Sequence, residues 1–231
     1  MINNKKVLVI VPAYNEEENI VSTVEDIEKN AKGVDYVVVN DGSYDHTLEI
    51  LKKNNINYID LFQNLGLFGA VQTGLKYAVE HDYDVAIQFD GDGQHQAKYI
   101  KSMVEELDNN SIVIGSRFVN KRKPFSLRML GSRFISLAIF LATFKRIKDP
   151  TSGMRAYDKD TIKDYANDIN NPPEPDTLVY MKLKGKKIKE VPVEMKERQF
   201  GESVFSISHT IKYMVRMLIS IFFIQPFRKR K

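Results

Sequence analysis

The sequence predicts an α/β protein built on a mostly parallel central sheet with flanking helices. Short continuous apolar runs, the mark of strands buried on both faces, recur through the first half of the chain. Longer stretches with helical periodicity lie between them, so strand and helix alternate as in βαβ units. The strand-like runs are Val7 to Val11, Tyr36 to Val39, Tyr58 to Leu61, Val85 to Phe89 and Ile112 to Ile114. The helical stretches are Glu16 to Ala31, Asp45 to Asn54, Phe68 to Glu80 and Ala97 to Leu107. In open sheets of this kind ligands sit beyond the carboxyl ends of the strands. The distinctive polar groups fall at those ends: Pro12-Ala13-Tyr14-Asn15-Glu16 after the first run, Asn40-Asp41-Gly42-Ser43 after the second and Asp90-Gly91-Asp92 after the fourth.

After residue 115 the pattern changes. Phe134 to Phe144 is apolar and has basic flanks. Residues 158–185 read as helical, interrupted at Asn171-Pro172-Pro173, and Lys187 to Met195 reads as a strand. Ser206 to Phe223 reads as a helix with Ile207, Ile211, Leu218 and Phe222 on one side and His209, Lys212 and Arg216 on another. Neither apolar segment reaches the roughly 18–20 uninterrupted residues that a membrane span needs. Apolar helices with basic flanks suit a position in the membrane interface, whereas a buried core helix would also account for Phe134 to Phe144. The division expected is a catalytic domain over 1–202, with an interfacial helical segment at about 124–147, and a basic amphipathic helix over 203–231. The start, MINNKKVLVIVPAYNEE, runs straight into a strand and shows no signal-peptide pattern.

The chain has 231 residues, enough to bury a sizeable core. It has no cysteine, which excludes disulfides and thiolate metal sites and fits the cytosol. The net charge of +4 is unevenly spread. Between Asn109 and Lys148 there are nine basic residues and no acid, and between Ser203 and Lys231 six more and again no acid, which leaves an acidic remainder. Two basic segments on an acidic body suggest an anionic surface as partner. Nucleic acid is not expected, because the basic residues flank aliphatic stretches rather than aromatic stacking platforms.

The carboxylates of Asp90 and Asp92 flank a glycine at a strand end and can both ligate one Mg²⁺ or Mn²⁺, which then bridges the phosphates of a nucleoside diphosphate. Gly91 allows close approach, and Gln94 and His95 on the next turn could add a ligand. Two acids at this spacing also occur in ordinary solvated turns. Asp41 could bond a base or ribose, although Asp-Gly-Ser is equally a turn with a helix cap. Asn64-Leu65-Gly66-Leu67-Phe68-Gly69 is neither a dinucleotide fingerprint nor a P-loop. Arg117, in Gly115-Ser116-Arg117, could hold a phosphate bidentately.

Together the segments VPAYNEEENI, VVVNDGSYDHT, NLGLFGAVQTGL, QFDGDGQH, IGSRF, DPTSGMRAY and VPVEMKERQFGES resemble, in order and over nearly the whole chain, family 2 glycosyltransferases with the Rossmann-like GT-A fold. Within that group the likeness is to polyprenyl-phosphate sugar transferases of the dolichol-phosphate mannose synthase type. The resemblance implies a nucleoside pocket lined by Pro12, Tyr14, Glu16, Val39 and Asp41, and a metal held by Asp90, Asp92 and Gln94. It implies that Gly91 lies against the donor, that Arg117 touches the sugar or phosphate, that Arg133 approaches the lipid phosphate and that Arg198 grips the donor diphosphate as a lid closes. Asp92, Arg117 and Arg133 are thus the expected catalytic residues. Val204 stands where the family often has lysine, and many bacterial relatives continue into membrane spans beyond the point at which this chain reads RKRK.

The expected activity is an inverting, metal-dependent hexosyl transfer from a nucleotide-sugar, with UDP-glucose or UDP-N-acetylglucosamine favoured and GDP-mannose open, to a polyprenyl (undecaprenyl) phosphate. It is expected at the cytoplasmic face of the cell membrane, as a peripheral protein with a small membrane-protein partner or a homo-oligomeric state, serving a cell-wall glycan. A phosphate acceptor is already anionic and needs no general base; a hydroxyl acceptor would need one, for which Glu174 and Asp176 are candidates. Two alternatives are a family 2 transferase that extends a cell-surface polysaccharide on a saccharide hydroxyl and a non-catalytic nucleotide-binding partner of a membrane assembly.

Overall fold

The computed structural model describes residues 1–168, 172–196 and 207–229, without the side chains of 127–128 and 207–210. The apolar runs become strands β1 (Val7–Ala13), β2 (Asp35–Asn40), β3 (Tyr58–Asp60), β4 (Val85–Gln88) and β5 (Ile112–Ser116). Between them lie helices α1 (Ile20–Asn30), α2 (Thr47–Lys53), α3 (Leu67–Glu80) and α4 (Ile100–Glu106). The second half adds α5 (Leu127–Thr143), β6 (Arg155–Asp158), α6 (Lys159–Asn167), α7 (Thr177–Leu183), β7 (Ile188–Pro192) and α8 (Ile207–Ile219).

Side chains alternate across a strand, so a run that is apolar throughout needs cover on both faces. Along β1, Leu8 and Ile10 pack with α3 and its neighbours on one face, and Val7, Val9 and Val11 pack with α1 and α4 on the other. The seven strands lie in the order β3-β2-β1-β4-β6-β5-β7. β1 pairs in parallel with both β2 and β4. The chain therefore winds outward in both directions from β1, and a crevice opens between the carboxyl ends of β1 and β4, where such sheets hold ligands.

The structure adds one strand to the sequence reading and shortens one helix. Residues 158–185 hold two helices, α6 and α7, on either side of the expected break, but β6, which the sequence does not announce, precedes α6 and runs antiparallel between β4 and β5. Its sequence, Arg-Ala-Tyr-Asp, has no apolar run to announce it. Arg155 is nevertheless buried, its guanidinium donating to the carbonyls of Ser152 (3.0 Å), Pro173 (2.9 Å) and Pro150. The first helix begins at Ile20 rather than Glu16, because the backbone N–H groups of Asn15 and Glu16 bond instead to the hydroxyls of Ser43 and Thr47. The helix containing Phe134 to Phe144 lies within the segment expected at about 124–147: it starts at Leu127, capped by the Ser126 hydroxyl, and ends at Phe144 in a left-handed conformation with φ 55°.

Both expected interfacial helices are half core and half surface. On α5, Ile135, Ala138 and Ile139 are buried, while Leu137 (53%), Leu141 (55%) and, at its end, Phe144 (85%) are exposed. On α8, Met217 is buried and Ile211, Val215 and Ile219 are exposed; the following turns bury Ile221 and expose Phe223 and Phe227. No helix among the described residues is long and apolar enough to cross a membrane.

Candidate active site

The loops that follow β1, β2 and β4 meet at the crevice, and backbone hydrogen bonds fix their spacing. Asp41 N–H donates to the Ala13 carbonyl at 2.8 Å, which ties the end of β2 to the end of β1. The buried Asp41 carboxylate accepts the Leu65 N–H at 2.7 Å and so anchors the loop that opens α3. Burial pushes its pKa up, and the N–H groups of Leu65 and Gly66 offset part of that. Tyr14 is partly exposed and meets Tyr44 edge to face at 5.9 Å. Asn15 holds the Tyr44 backbone through its side-chain carbonyl at 3.0 Å. The Glu16 carboxylate accepts from Asn19 at 2.8 Å. Pro12 and Val39 are opposite each other in the β1–β2 ladder and both are buried. The Val39 side chain belongs to the core beneath the sheet, so its part in this region is to carry Asn40 and Asp41 out of the strand.

Asp90-Gly91-Asp92 leaves β4 against β1. A Cβ on Gly91 would lie 2.9 Å from the Pro12 carbonyl, so only glycine passes there without displacement. The Asp90 N–H donates to His95 Nδ1 at 2.9 Å. That bond places the proton of a neutral His95 on Nε2, which lies 3.7 Å from the Asp90 carboxylate. His95 is buried and turned toward Asp90, so it orients this carboxylate rather than reaching outward as a ligand. The Asp92 carboxylate accepts the Gln94 N–H at 3.1 Å. Gln94 is also joined to the strand-exit segment after β7: its carbonyl accepts the Lys196 N–H at 2.8 Å, and its side-chain amide donates to the Lys196 carbonyl at 3.4 Å.

Among the described residues there is no group of three or more histidines and acids arranged to hold a metal by itself. Two carboxylates and an amide carbonyl are still a hard oxygen set of the kind Mg²⁺ and Mn²⁺ take, with substrate phosphates completing the shell. The packing behind Asp90 is shaped for its carboxylate: a Cβ on Gly153 would come within 2.0 Å of Oδ2.

The segment that carries Gly153 was the part of the site to which the sequence assigned no role. Asp149-Pro150-Thr151-Ser152-Gly153-Met154-Arg155 wraps behind both Asp90 and Arg117. Asp149 is wholly buried and holds Arg117 in a two-pronged pair, Nε and Nη2 each at 2.8 Å, and accepts the Arg117 N–H as well. Burial opposes the Arg117 charge, but Asp149, with Asp90 adding, outweighs it and raises the pKa. Arg117 is therefore a clamped cation that faces the region of Asp90, not a freely swinging one. The only signal in the sequence was DPTSGMRAY itself, which carries one acid, one glycine and one arginine at the positions the packing uses.

Arg133 stands in the first turns of α5, where its Nη2 donates to the Lys123 carbonyl at 2.7 Å and its guanidinium lies 5.6 Å from the Phe125 ring. The two candidate bases are engaged elsewhere. Glu174 accepts Arg216 through both oxygens, at 2.9 and 2.6 Å, and burial raises its pKa against that pairing. Asp176 accepts Ser220 and Gln225. Both carboxylates seat α8 and the turns after it. Arg198, expected to grip the donor, lies outside the described residues.

Comparison with known proteins gives the family and the fold. Residues 8–166 match the family described as "Glycosyl transferase family 2". The dolichol-phosphate mannosyltransferase of Pyrococcus furiosus is 34% identical over 90% of this chain and 62% of its own. The undecaprenyl-phosphate mannosyltransferase of Micrococcus luteus is 31% identical over 87% of this chain and 88% of its own. Methanococcus voltae UDP-N-acetylglucosamine–dolichyl-phosphate N-acetylglucosaminyltransferase is 33% identical over 69% and 72%. The fold is shared with glucosyl-3-phosphoglycerate synthase of Mycobacterium tuberculosis, in a structure with Mn²⁺, UDP-glucose and phosphoglyceric acid (TM-score 0.70, 15% identity, 94% of this chain and 80% of that one). The sheet order, the carboxylates at the switch point and the family match lead to one conclusion: the chain belongs to glycosyl transferase family 2 and, with these relatives, to its polyprenyl-phosphate sugar transferases.

Proposed function

We propose that the protein transfers a hexose from a nucleoside-diphosphate sugar to a polyprenyl phosphate at a membrane surface, with inversion at the anomeric carbon. The observation that carries this reading is adjacency. The acidic pair Asp90 and Asp92, the clamped Arg117 and the start of α5 follow one another across the site, and α5 continues into an exposed apolar face shared with α8. A donor diphosphate fits the first, and an anionic head group with an apolar tail fits the last.

In this reading Tyr14 and Asp41 border the nucleoside, and Asp90, Asp92 and Gln94 hold Mg²⁺ or Mn²⁺. The metal would neutralise charge that develops on the departing diphosphate. Gly91 and Gly153 keep the two carboxylates in place, and Arg117 adds positive charge on the sugar-phosphate side. Arg198 is two residues beyond Lys196, which is tied to Gln94, and is proposed to close on the diphosphate. The acceptor phosphate oxygen bonds to the anomeric carbon as the bond to the donor diphosphate breaks. No side chain must take a proton, in keeping with the engagement of Glu174 and Asp176 by α8.

Exposed Leu137, Leu141, Phe144, Ile211, Val215, Ile219, Phe223 and Phe227 form the apolar part of the interfacial face, and exposed Lys145, Arg146, Lys212 and Lys229 supply charge for anionic head groups at about 1 kcal/mol each. We place the protein at the cytoplasmic face, as a peripheral protein. Thermal shift with UDP-glucose, UDP-N-acetylglucosamine and GDP-mannose, each with Mn²⁺, identifies the donor through linkage. Transfer of radiolabel from that donor then tests the acceptor: label in a mild-acid-labile lipid supports the proposal, and label only in a saccharide rejects it.

A further inference from the structure

Three cations converge between β5 and α5, and one of them has no role in the reading so far. Lys123 Nζ donates to the Ser132 hydroxyl at 2.8 Å and lies 3.5 Å from the Ser136 hydroxyl. Ser132 Oγ is 3.2 Å from Thr151 Oγ1, which is 3.5 Å from Asp149, the clamp of Arg117. Lys123 and Arg117 also face the same Phe118 ring, at 5.5 and 5.1 Å. Arg133 holds the Lys123 carbonyl. Lys123, Arg117 and Arg133 are thus one group, half-buried, at the foot of the apolar α5 face.

The nearby carboxylates are already engaged. Asp149 is taken by Arg117, and Glu190 accepts the N–H groups of Lys148 and Asp149, each at 2.7 Å. On the α5 side of Arg117, three half-buried cations face these two engaged carboxylates and leave surplus positive charge; Asp90, which also faces Arg117, lies on the side assigned to the metal. The Lys123 ammonium feels this surplus. Burial lowers its pKa, Arg117 and Arg133 lower it further, Asp149 and Glu190 oppose them, and the result is about 8. Such a surplus is relieved by an anion with several oxygens, and hydroxyls of Ser132, Ser136 and Thr151 beside the cations suit the oxygens of a phosphate monoester.

We propose that Lys123 completes, with Arg117 and Arg133, a seat that takes the acceptor's phosphate monoester in its doubly ionised form. The inference rests on the polyprenyl-phosphate reading above. It also supplies what a general base would have supplied, since a seat of three cations favours the dianion, which is the better nucleophile, over the monoanion. Because Lys123 sheds its proton more readily than an ordinary lysine, acceptor capture weakens as pH rises past about 8. Bound phosphate holds the proton on Lys123, so the effect belongs to kcat/KM for acceptor and is muted in kcat.

The test measures binding of farnesyl phosphate in detergent micelles, of inorganic phosphate and of UDP with Mn²⁺ to the whole chain, before any turnover. The expected result is that Lys123→Met weakens farnesyl phosphate at least about tenfold and leaves UDP unchanged, while Lys123→Arg retains binding and abolishes the decline above about pH 8. Loss of UDP with farnesyl phosphate unchanged would assign the seat to the donor and overturn the proposal, as would a Lys123→Met protein that binds all three like the wild type. Lys123→Arg that keeps the wild-type pH profile would overturn the role of the ammonium. Should inorganic phosphate bind through Lys123 with no gain from the farnesyl chain, the seat would stand and the lipid acceptor would fall. Wild-type protein that binds neither phosphate would end both.

Discussion

The loops after β1, β2 and β4 and the face built by α5 and α8 are opposites in construction. The loops are polar and short, and groups around them hold their carboxylates: the Leu65 N–H holds Asp41, and the Gln88 amide at 3.3 Å and the wall at Gly153 hold Asp90. The helical face is apolar, with Leu137, Leu141 and Phe144 turned out to solvent. In the proposed function a metal and a diphosphate need oxygens placed to fractions of an ångström, which the cross-linked loops would supply. A lipid surface would ask only for apolar area and charge, for which a helix rooted by one stripe suffices.

This contrast can be broken from either side. The largest effect is expected from Asp92→Ala, which should lower kcat by about 10³-fold with little change in melting temperature, because Asp92 lies on a partly exposed loop. Full activity in that variant would remove the metal assignment. Next, Leu137→Glu with Leu141→Glu should weaken partition onto anionic vesicles by about 10²-fold while UDP binding with Mn²⁺ holds, since each exposed leucine contributes about 1.5–3 kcal/mol when buried. Unchanged co-sedimentation would show that the face serves something else. Gly153→Ala places a methyl on the Asp90 carboxylate, and should cost about tenfold in kcat/KM and about 1–3 kcal/mol of stability in urea unfolding.

The smallest effect is expected at the root of α8. Glu174→Gln loses a pair with an exposed Arg216, worth about 0.5 kcal/mol. The pH dependence is the sharper readout. The folded-state pKa of Glu174 is raised, so the stability linked to its proton is present below the ordinary glutamate range and lost as pH rises through the folded value. Relative to wild type, the glutamine variant should therefore fare better at pH 7 than at pH 4, and a difference of the opposite sign would refute the burial argument.

How much was legible follows the same divide. The strands β1, β2, β4 and β5 were plain because burial on both faces forces an uninterrupted apolar run, and the polar groups at their ends stood out against it. β6 was invisible because its polarity is satisfied by other segments: Arg155 needs the carbonyls of Pro150, Ser152 and Pro173, the last of them eighteen residues away. His95 looked like a further ligand, but a fold-dependent hydrogen bond from Asp90 turns its ring inward. Arg117 was named without its clamp, since Asp149 lies 32 residues further on. Periodicity likewise marked α5 and α8 as amphipathic without saying which stripe would be buried.

The sequence by itself determined the α/β alternation, the positions of the acidic loops at strand ends, the two basic apolar segments and the family. Those features depend on local pattern: the period of a strand or helix and the residue types in a turn. Only the tertiary structure decided that Gly153 backs Asp90, that Asp149 fixes Arg117, and that Lys123, Arg117 and Arg133 form one cationic group. The first two are contacts between segments distant in sequence, and the third needs the loop after β5 folded back on α5; the energy of each comes from desolvation and geometry that exist only in the folded chain.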